Sequence, residues 1–95
     1  MNLGQSIKKI RKEQAKMNQV KFAELIGLTQ SYLSCIENGS KQPSVSVLKI
    51  ISEKVNVPLP VLFWMSMDES DVAKHKREVF LMIKPHVDAF VKQII

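Results

Sequence analysis

Four side chains between Gln30 and Cys35 can read a polar surface at close range. Gln30, Ser31, Ser34 and Cys35 are uncharged, short or of middle length, and able to form hydrogen bonds. If Leu33 and Ile36 turn inward on a helix, these four turn outward. A helix face with few charges and several small hydrogen-bonding groups suits the floor of a DNA major groove. Glutamine also offers a donor and an acceptor together, which matches the N6/N7 edge of adenine.

That face needs two short helices and a tight turn to hold it, and the stretch from Asn18 to Gly39 supplies them. Asn18 can accept a hydrogen bond from the first free N–H groups of a helix over Gln19–Ile26. Phe22, Ala23, Leu25 and Ile26 give this helix an apolar side. Gly27 stops it, because glycine tolerates the left-handed conformation that ends a helix. Thr29 can cap a second helix over Gln30–Glu37, and Gly39 follows it. Ala23 is small where the second helix must approach. A wide-angle crossing through a short turn needs these residue types at this spacing.

These residues resemble the helix-turn-helix of the XRE or lambda-repressor-like family of transcriptional regulators. The matching features are NQ at 18–19, FAELIGL at 22–28, TQSYLS at 29–34 and IENG at 36–39, with IKKIRKE at 7–13 before them and KQPS…L at 41–48 after. The segment between Arg11 and Gln19 is one residue longer than the family pattern. The resemblance covers about residues 3–66. It implies that Gln19 bonds a DNA phosphate and that Gln30 reaches a base edge, with Ser31, Ser34 and Cys35 on the same face. It also implies a buried ion pair between Arg11 and Glu37. Tyr32 either packs on the domain or bonds a phosphate through its hydroxyl. Asn38 and Lys41 follow the recognition helix, where donors would hold the opposite wall of the groove. Lys12 belongs with Lys8 and Lys9 near the expected path of the DNA backbone.

Charge agrees with this division of the chain. Residues 1–49 contain eight Lys/Arg and three Asp/Glu, whereas residues 50–95 contain six of each. The whole excess of +5 therefore lies in the half that holds the helix-turn-helix. A phosphate-facing half and a self-associating half would divide charge in this way. A solvated basic surface is the alternative that charge alone leaves open.

The remaining elements follow from apolar periodicity. Leu3, Ile7 and Ile10 mark a first helix from Leu3 to Glu13, with Asn2 as its cap. Ser44 opens a fourth over Val45–Val55. Pro60 sits in the first turn of a fifth over Leu59–Ser66. Ser70 or Asp71 would cap a sixth over Val72–Ile83, which Pro85 ends or kinks. The last segment, HVDAFVKQII, is helical again. Phe80, Ile83, Val87, Phe90, Val91 and Ile94 exceed what one small helical domain readily covers, and are expected to form a dimer interface.

Other classes find little support. A chain of 95 residues allows one domain and little more. No apolar run is long enough for a membrane span, and MNLGQSIKKI lacks the apolar core of a signal peptide. The single cysteine excludes an intrachain disulfide and a Cys-based zinc site. His75 and His86 have no ligand pattern around them, so no metal or cofactor is expected. No glycine-rich phosphate loop, nucleophile elbow or paired-carboxylate cleft points to an enzyme.

The expectation is an all-α protein. Residues 1–66 form a five-helix lambda-repressor-like domain, and residues 67–95 form a helical extension that dimerises. It would be a cytoplasmic repressor or regulator that binds double-stranded DNA at an inverted repeat, as a homodimer. The alternative is an antitoxin-like module that neutralises a protein partner through residues 67–95.

Overall fold

Side chains that cap their own helices set most of the element boundaries. The computed structural model describes all residues from 1 to 95 and contains only helices, turns and loops. Helix α1 spans Leu3–Ile10, and Asn2 caps it by accepting the Gln5 N–H. α2 (Gln19–Ile26) starts at Asn18, which accepts the Lys21 N–H at 2.9 Å. α3 (Gln30–Glu37) starts at Thr29, which accepts the Tyr32 N–H at 3.1 Å. α4 (Val45–Val55) starts at Ser44, and α5 (Leu59–Ser66) carries Pro60 in its first turn. Gly27 ends α2 with φ at 76°, the left-handed region that glycine enters without a Cβ clash.

The first helix does not stop at Glu13. It widens into a π-helical turn over Arg11–Ala15 and closes on Lys16, which is left-handed at φ 54°. Both Lys16 and Met17 donate their N–H groups to the Arg11 carbonyl. Such a turn holds one residue more than a regular α-helical turn in nearly the same length.

The core is a cluster of eleven buried apolar residues from α1 to α5, with Ile7, Phe22, Leu33, Ile36, Ile51 and Leu62 fully enclosed. α1 and α3 meet most closely at Gly4. A Cβ there would lie 2.1 Å from the Ile36 carbonyl oxygen.

The sixth helix departs most from expectation. Two 3₁₀ turns, Glu69–Asp71 and Lys74–Lys76, precede it, and α6 runs from Arg77 to Ile94. It starts five residues after the expected Val72, because Ser70 and Asp71 belong to a different cap. The Asp68 side chain accepts the Ser70 N–H, and Asp71 accepts the Asp68 N–H. The Ser70 donors hold the Asp68 carboxyl below the usual carboxylate range. Pro85 neither ends α6 nor separates a last segment. Pro85 and Leu81, whose carbonyl loses its helical donor, both lie on the exposed side, where water can replace the missing bond.

α6 docks on α5 through Trp64. The indole N–H donates to Asp88 Oδ1 at 2.9 Å. The Phe80 ring meets the Trp64 ring edge to face, with centroids 5.8 Å apart. Lys84 Nζ lies 5.5 Å above the Trp64 ring and 3.2 Å from Asp88. Phe80, Lys84 and Asp88 recur every four residues, so one side of α6 faces the domain. No helix is long and apolar enough to cross a membrane.

The approach at Gly4 generates the first prediction. Gly4→Ala is expected to force α1 from α3 and to cost roughly 1–3 kcal/mol, as overpacking does. In a domain of this size that lowers Tm by at least about 4 °C. A thermal melt followed by circular dichroism checks it; an unchanged midpoint would mean that the backbones separate at no cost.

Candidate nucleic-acid interface

A carboxylate at the end of α3 ties together the parts of this surface. Arg11 Nε donates to Glu37 Oε2 at 2.8 Å, and Arg11 Nη2 donates to Glu37 Oε1 at 3.0 Å. The pair is thus bidentate, and the two side chains are only 7% and 3% exposed. Arg11 Nη1 donates further to the Met17 carbonyl at 2.8 Å. Gln19 Nε2 gives Glu37 Oε1 a third donor at 3.1 Å. No buried side-chain nitrogen or oxygen in the chain lacks a partner. Burial of two charges is tolerated only under such conditions: good geometry and further donors for the remaining lone pairs.

The network fixes three places at once: the π-helical turn, the loop that enters α2, and the last turn of α3. It therefore sets how the two helices of the motif sit relative to each other. Gln19 is half-buried, and one N–H of its amide is committed to Glu37. Its other amide hydrogen and its oxygen have no partner within the chain.

The outward face of α3 is graded. Gln30 and Ser31, in its first turn, are exposed. Ser34 and Cys35, one turn later, are half-buried. Tyr32 packs partly against the core cluster, and Lys41 Nζ lies 5.9 Å above its ring. The Tyr32 hydroxyl makes no hydrogen bond within the chain, so its ring packs while its polar tip stays available.

The loop after α3 folds back on the helix. Asn38 accepts the Ser40 N–H at 2.9 Å. The Cys35 carbonyl accepts both the Ser40 hydroxyl at 3.2 Å and the Lys41 N–H at 3.1 Å. Gly39 is left-handed at φ 84°. These bonds hold exposed Asn38, Ser40 and Lys41 beside the end of α3. Lys12 is exposed on the π-helical turn. Because Arg11 is internal, the surface charge of the first half rests on seven lysines, 8, 9, 12, 16, 21, 41 and 49, and all are exposed. No three His, Cys, Asp or Glu side chains converge to hold a metal ion.

A helix-turn-helix family model matches residues 7–62, more than half of the chain. The chain belongs to the XRE-type, lambda-repressor-like helix-turn-helix family. This family consists of DNA-binding regulators, not enzymes. Within it, the chain is 33% identical over 91 residues to the immunity repressor protein of Bacillus phage phi105, covering 83% of this chain and 62% of the repressor. It is 38% identical over 63 residues to the control protein C.MunI of Mycoplasma sp, covering 66% of this chain and 85% of that protein. It is 36% identical over 55 residues to the antitoxin PezA of Streptococcus pneumoniae, covering 58% of this chain and 34% of the antitoxin. The chain thus spans less than two thirds of the phage repressor's length. No solved structure matches it.

Within the family fold, two of the residues expected at a dimer interface are placed elsewhere. Phe80 and Val91 are each 9% exposed and turn toward their own domain. Their side of α6 is the one that Trp64 anchors, so this area is covered within the chain. Val87 is half-buried, whereas Ile83, Phe90 and Ile94 remain exposed. Two participants escaped sequence reasoning. Gly4 carries no signal in the sequence, and only the α1–α3 contact shows its use. The Gln19 bond to Glu37 joins residues 18 apart, which no local pattern signals.

The ion pair generates the second prediction. Glu37→Ala leaves the Arg11 guanidinium buried without its carboxylate, and is expected to cost roughly 3–5 kcal/mol. The resulting fall in Tm exceeds about 10 °C. Glu37→Gln keeps one acceptor and should lose less. A melt of Glu37→Ala at the parent midpoint would show that the pair contributes no net stability.

Proposed function

We propose that the protein is a cytoplasmic transcriptional repressor that binds an inverted-repeat operator as a homodimer. The observation that carries this reading is the outward face of α3, which is polar and uncharged while exposed lysines lie on the elements around it. Base edges require the first and phosphates the second. In this reading Gln30 and Ser31 contact bases from the first turn of α3, and Ser34 and Cys35 line the groove floor behind them. Gln19, Tyr32, Asn38, Lys41 and Lys12 contact phosphates. Gln19 does so through the part of its amide that Glu37 leaves free, so its orientation is set before DNA arrives.

The similarity to a phage immunity repressor and to the control protein C.MunI supports a regulatory role. One helix-turn-helix touches only a few base pairs. Two copies about a two-fold axis would read half-sites one DNA turn apart. The exposed apolar residues of α6 supply a surface for the pairing. The similarity to the PezA antitoxin supports a second reading, in which that same surface takes a protein partner. The two differ in purification: the first gives a protein that binds its operator alone, the second a stable complex with weak operator binding without the partner. Selection of bound sequences from a random DNA pool tests the main reading. It should return an inverted repeat with half-site centres roughly 10 base pairs apart; recovery of no preferred sequence would overturn it.

Two substitutions separate base reading from phosphate contact. Gln30→Ala should weaken binding to the selected site by roughly 1–3 kcal/mol and relax preference at one base position. Lys41→Ala should weaken binding to all sequences alike and reduce the slope of log affinity against log salt by about one. Titrations by fluorescence anisotropy at several salt concentrations measure both. A uniform loss in Gln30→Ala would reassign that residue to the backbone.

A further inference from the structure

A cavity of about 410 Å³ lies between the end of α1, the π-helical turn, α5 and α6. A volume of this order is that of a small-molecule site. Its lining is more polar than such sites usually are, since only three of its ten residues are hydrophobic. An apolar ligand would leave the polar majority without partners, so the occupant that fits is itself polar. The π-helical turn contributes Glu13 and Gln14 to the wall. Such turns are rare and recur at functional sites.

Charge decides the chemistry. Lys9 reaches the cavity from α1 and Lys92 from α6. Neither is in ion-pair contact with a carboxylate. Lys84, by contrast, is held by both oxygens of Asp88, at 3.2 and 3.3 Å. Two cations from elements far apart in sequence thus line one concave space with no counter-charge, and such a place attracts an anion. The rest of the polar lining is of the opposite kind. Glu13 is also without an ion-pair partner, and Asp88 and Gln14 add further acceptors. Carboxylates accept hydrogen bonds from hydroxyl groups and repel a second anionic group.

We propose that this cavity binds a small polyhydroxylated anion, of the size of a sugar phosphate or a sugar acid, which bridges α1 and α6. Its single anionic group lies between Lys9 and Lys92. Its hydroxyl groups donate to Glu13 and Asp88, and its carbon skeleton lies over Ile10 and Met65. The cavity has both its walls only while α6 is docked, and α6 adds no residue to the core cluster. A ligand held from both walls therefore stabilises the docked position of α6. Trp64 is placed to report this. It is the one tryptophan of the chain, and Lys84, which lines the cavity, lies 5.5 Å above its ring.

Calorimetric titration of the full chain tests the site, with Trp64 fluorescence followed in parallel. The probes are glucose 6-phosphate and gluconate, with glucose and inorganic phosphate as their separate parts. One saturable site per chain is expected for at least one of the two sugar anions, together with a change in fluorescence. Glucose and inorganic phosphate should each bind at least roughly tenfold more weakly, as the loss of a charged hydrogen bond or of several neutral ones entails. The tighter of the two sugar anions identifies the head group as phosphate or carboxylate. Lys9→Gln and Lys92→Gln, both at exposed positions, should each weaken its binding about tenfold. Lys54→Gln, exposed on α4 and away from the cavity lining, should leave it unchanged. Inorganic phosphate bound as tightly as glucose 6-phosphate would mean an adventitious ion only, and glucose bound as tightly would mean that the lysines take no part. Equal loss in all three variants would mean diffuse attraction, and no loss in any, or binding without a fluorescence change, would put the ligand elsewhere. Each of these results, or no saturable binding of either sugar anion, overturns the inference.

Discussion

The buried pair between Arg11 and Glu37 is the constraint on which the rest of the binding surface depends. Each ion loses its hydration, at a cost of several kcal/mol. The arrangement holds only because two parallel hydrogen bonds, the Gln19 amide and the Met17 carbonyl take the place of water. Those replacements come from three different segments. They fit one placement of the π-helical turn, α2 and α3, and no neighbouring one. Apolar packing of Ile7, Leu33 and Ile36 would tolerate a small slide of α3; a bidentate ion pair would not. The structural consequence of this costly pair is registration, and it is the face with Gln30 and Ser31 that is registered.

α6 obeys a looser rule. Its domain side is held by one aromatic anchor, Trp64, with an edge contact to Phe80 and a hydrogen bond to Asp88. The Lys84–Asp88 pair is partly solvated and adds little. The first five helices share a continuous core, whereas α6 lies beside it through Trp64, Phe80 and Val91 and adds no residue to that cluster. This divides the molecule by physics: five helices around one core, and an attached helix whose outer side stays exposed.

The parts of the fold that were legible in the sequence are those set by local chemistry. Asn18, Thr29 and Ser44 cap α2, α3 and α4, and Pro60 in its first turn marks the start of α5. The start of α6 was illegible because Ser70 and Asp71, the expected caps, are drawn into the turn at Asp68, and α6 begins at Arg77 with no side-chain cap. Their choice of partners depends on hydrogen bonds that the sequence does not rank. Pro85 misled for a related reason. A proline inside a helix is costly where water cannot reach the orphaned carbonyl, and exposure is a tertiary property. At the interface, residue types were legible while their contacts were not. Gln19 was read as a phosphate donor, and its bond to Glu37 is visible only once α2 and α3 have been brought together. For Phe80 and Val91 the sequence shows that they must be buried, but not by which surface.

The π-helical turn has a consequence of a different kind. A wider turn stores one more residue in nearly the same axial length, so its two ends stay where α1 and α2 require them. Lys16 ends it in a left-handed conformation that few side chains adopt, a local strain accepted at the surface and away from the core. The segment Lys12–Ala15 is thereby a slack loop drawn into a helix. Arg11 before it and Gln19 after it still meet at Glu37, so the length of chain between them and the geometry of their contact are set independently.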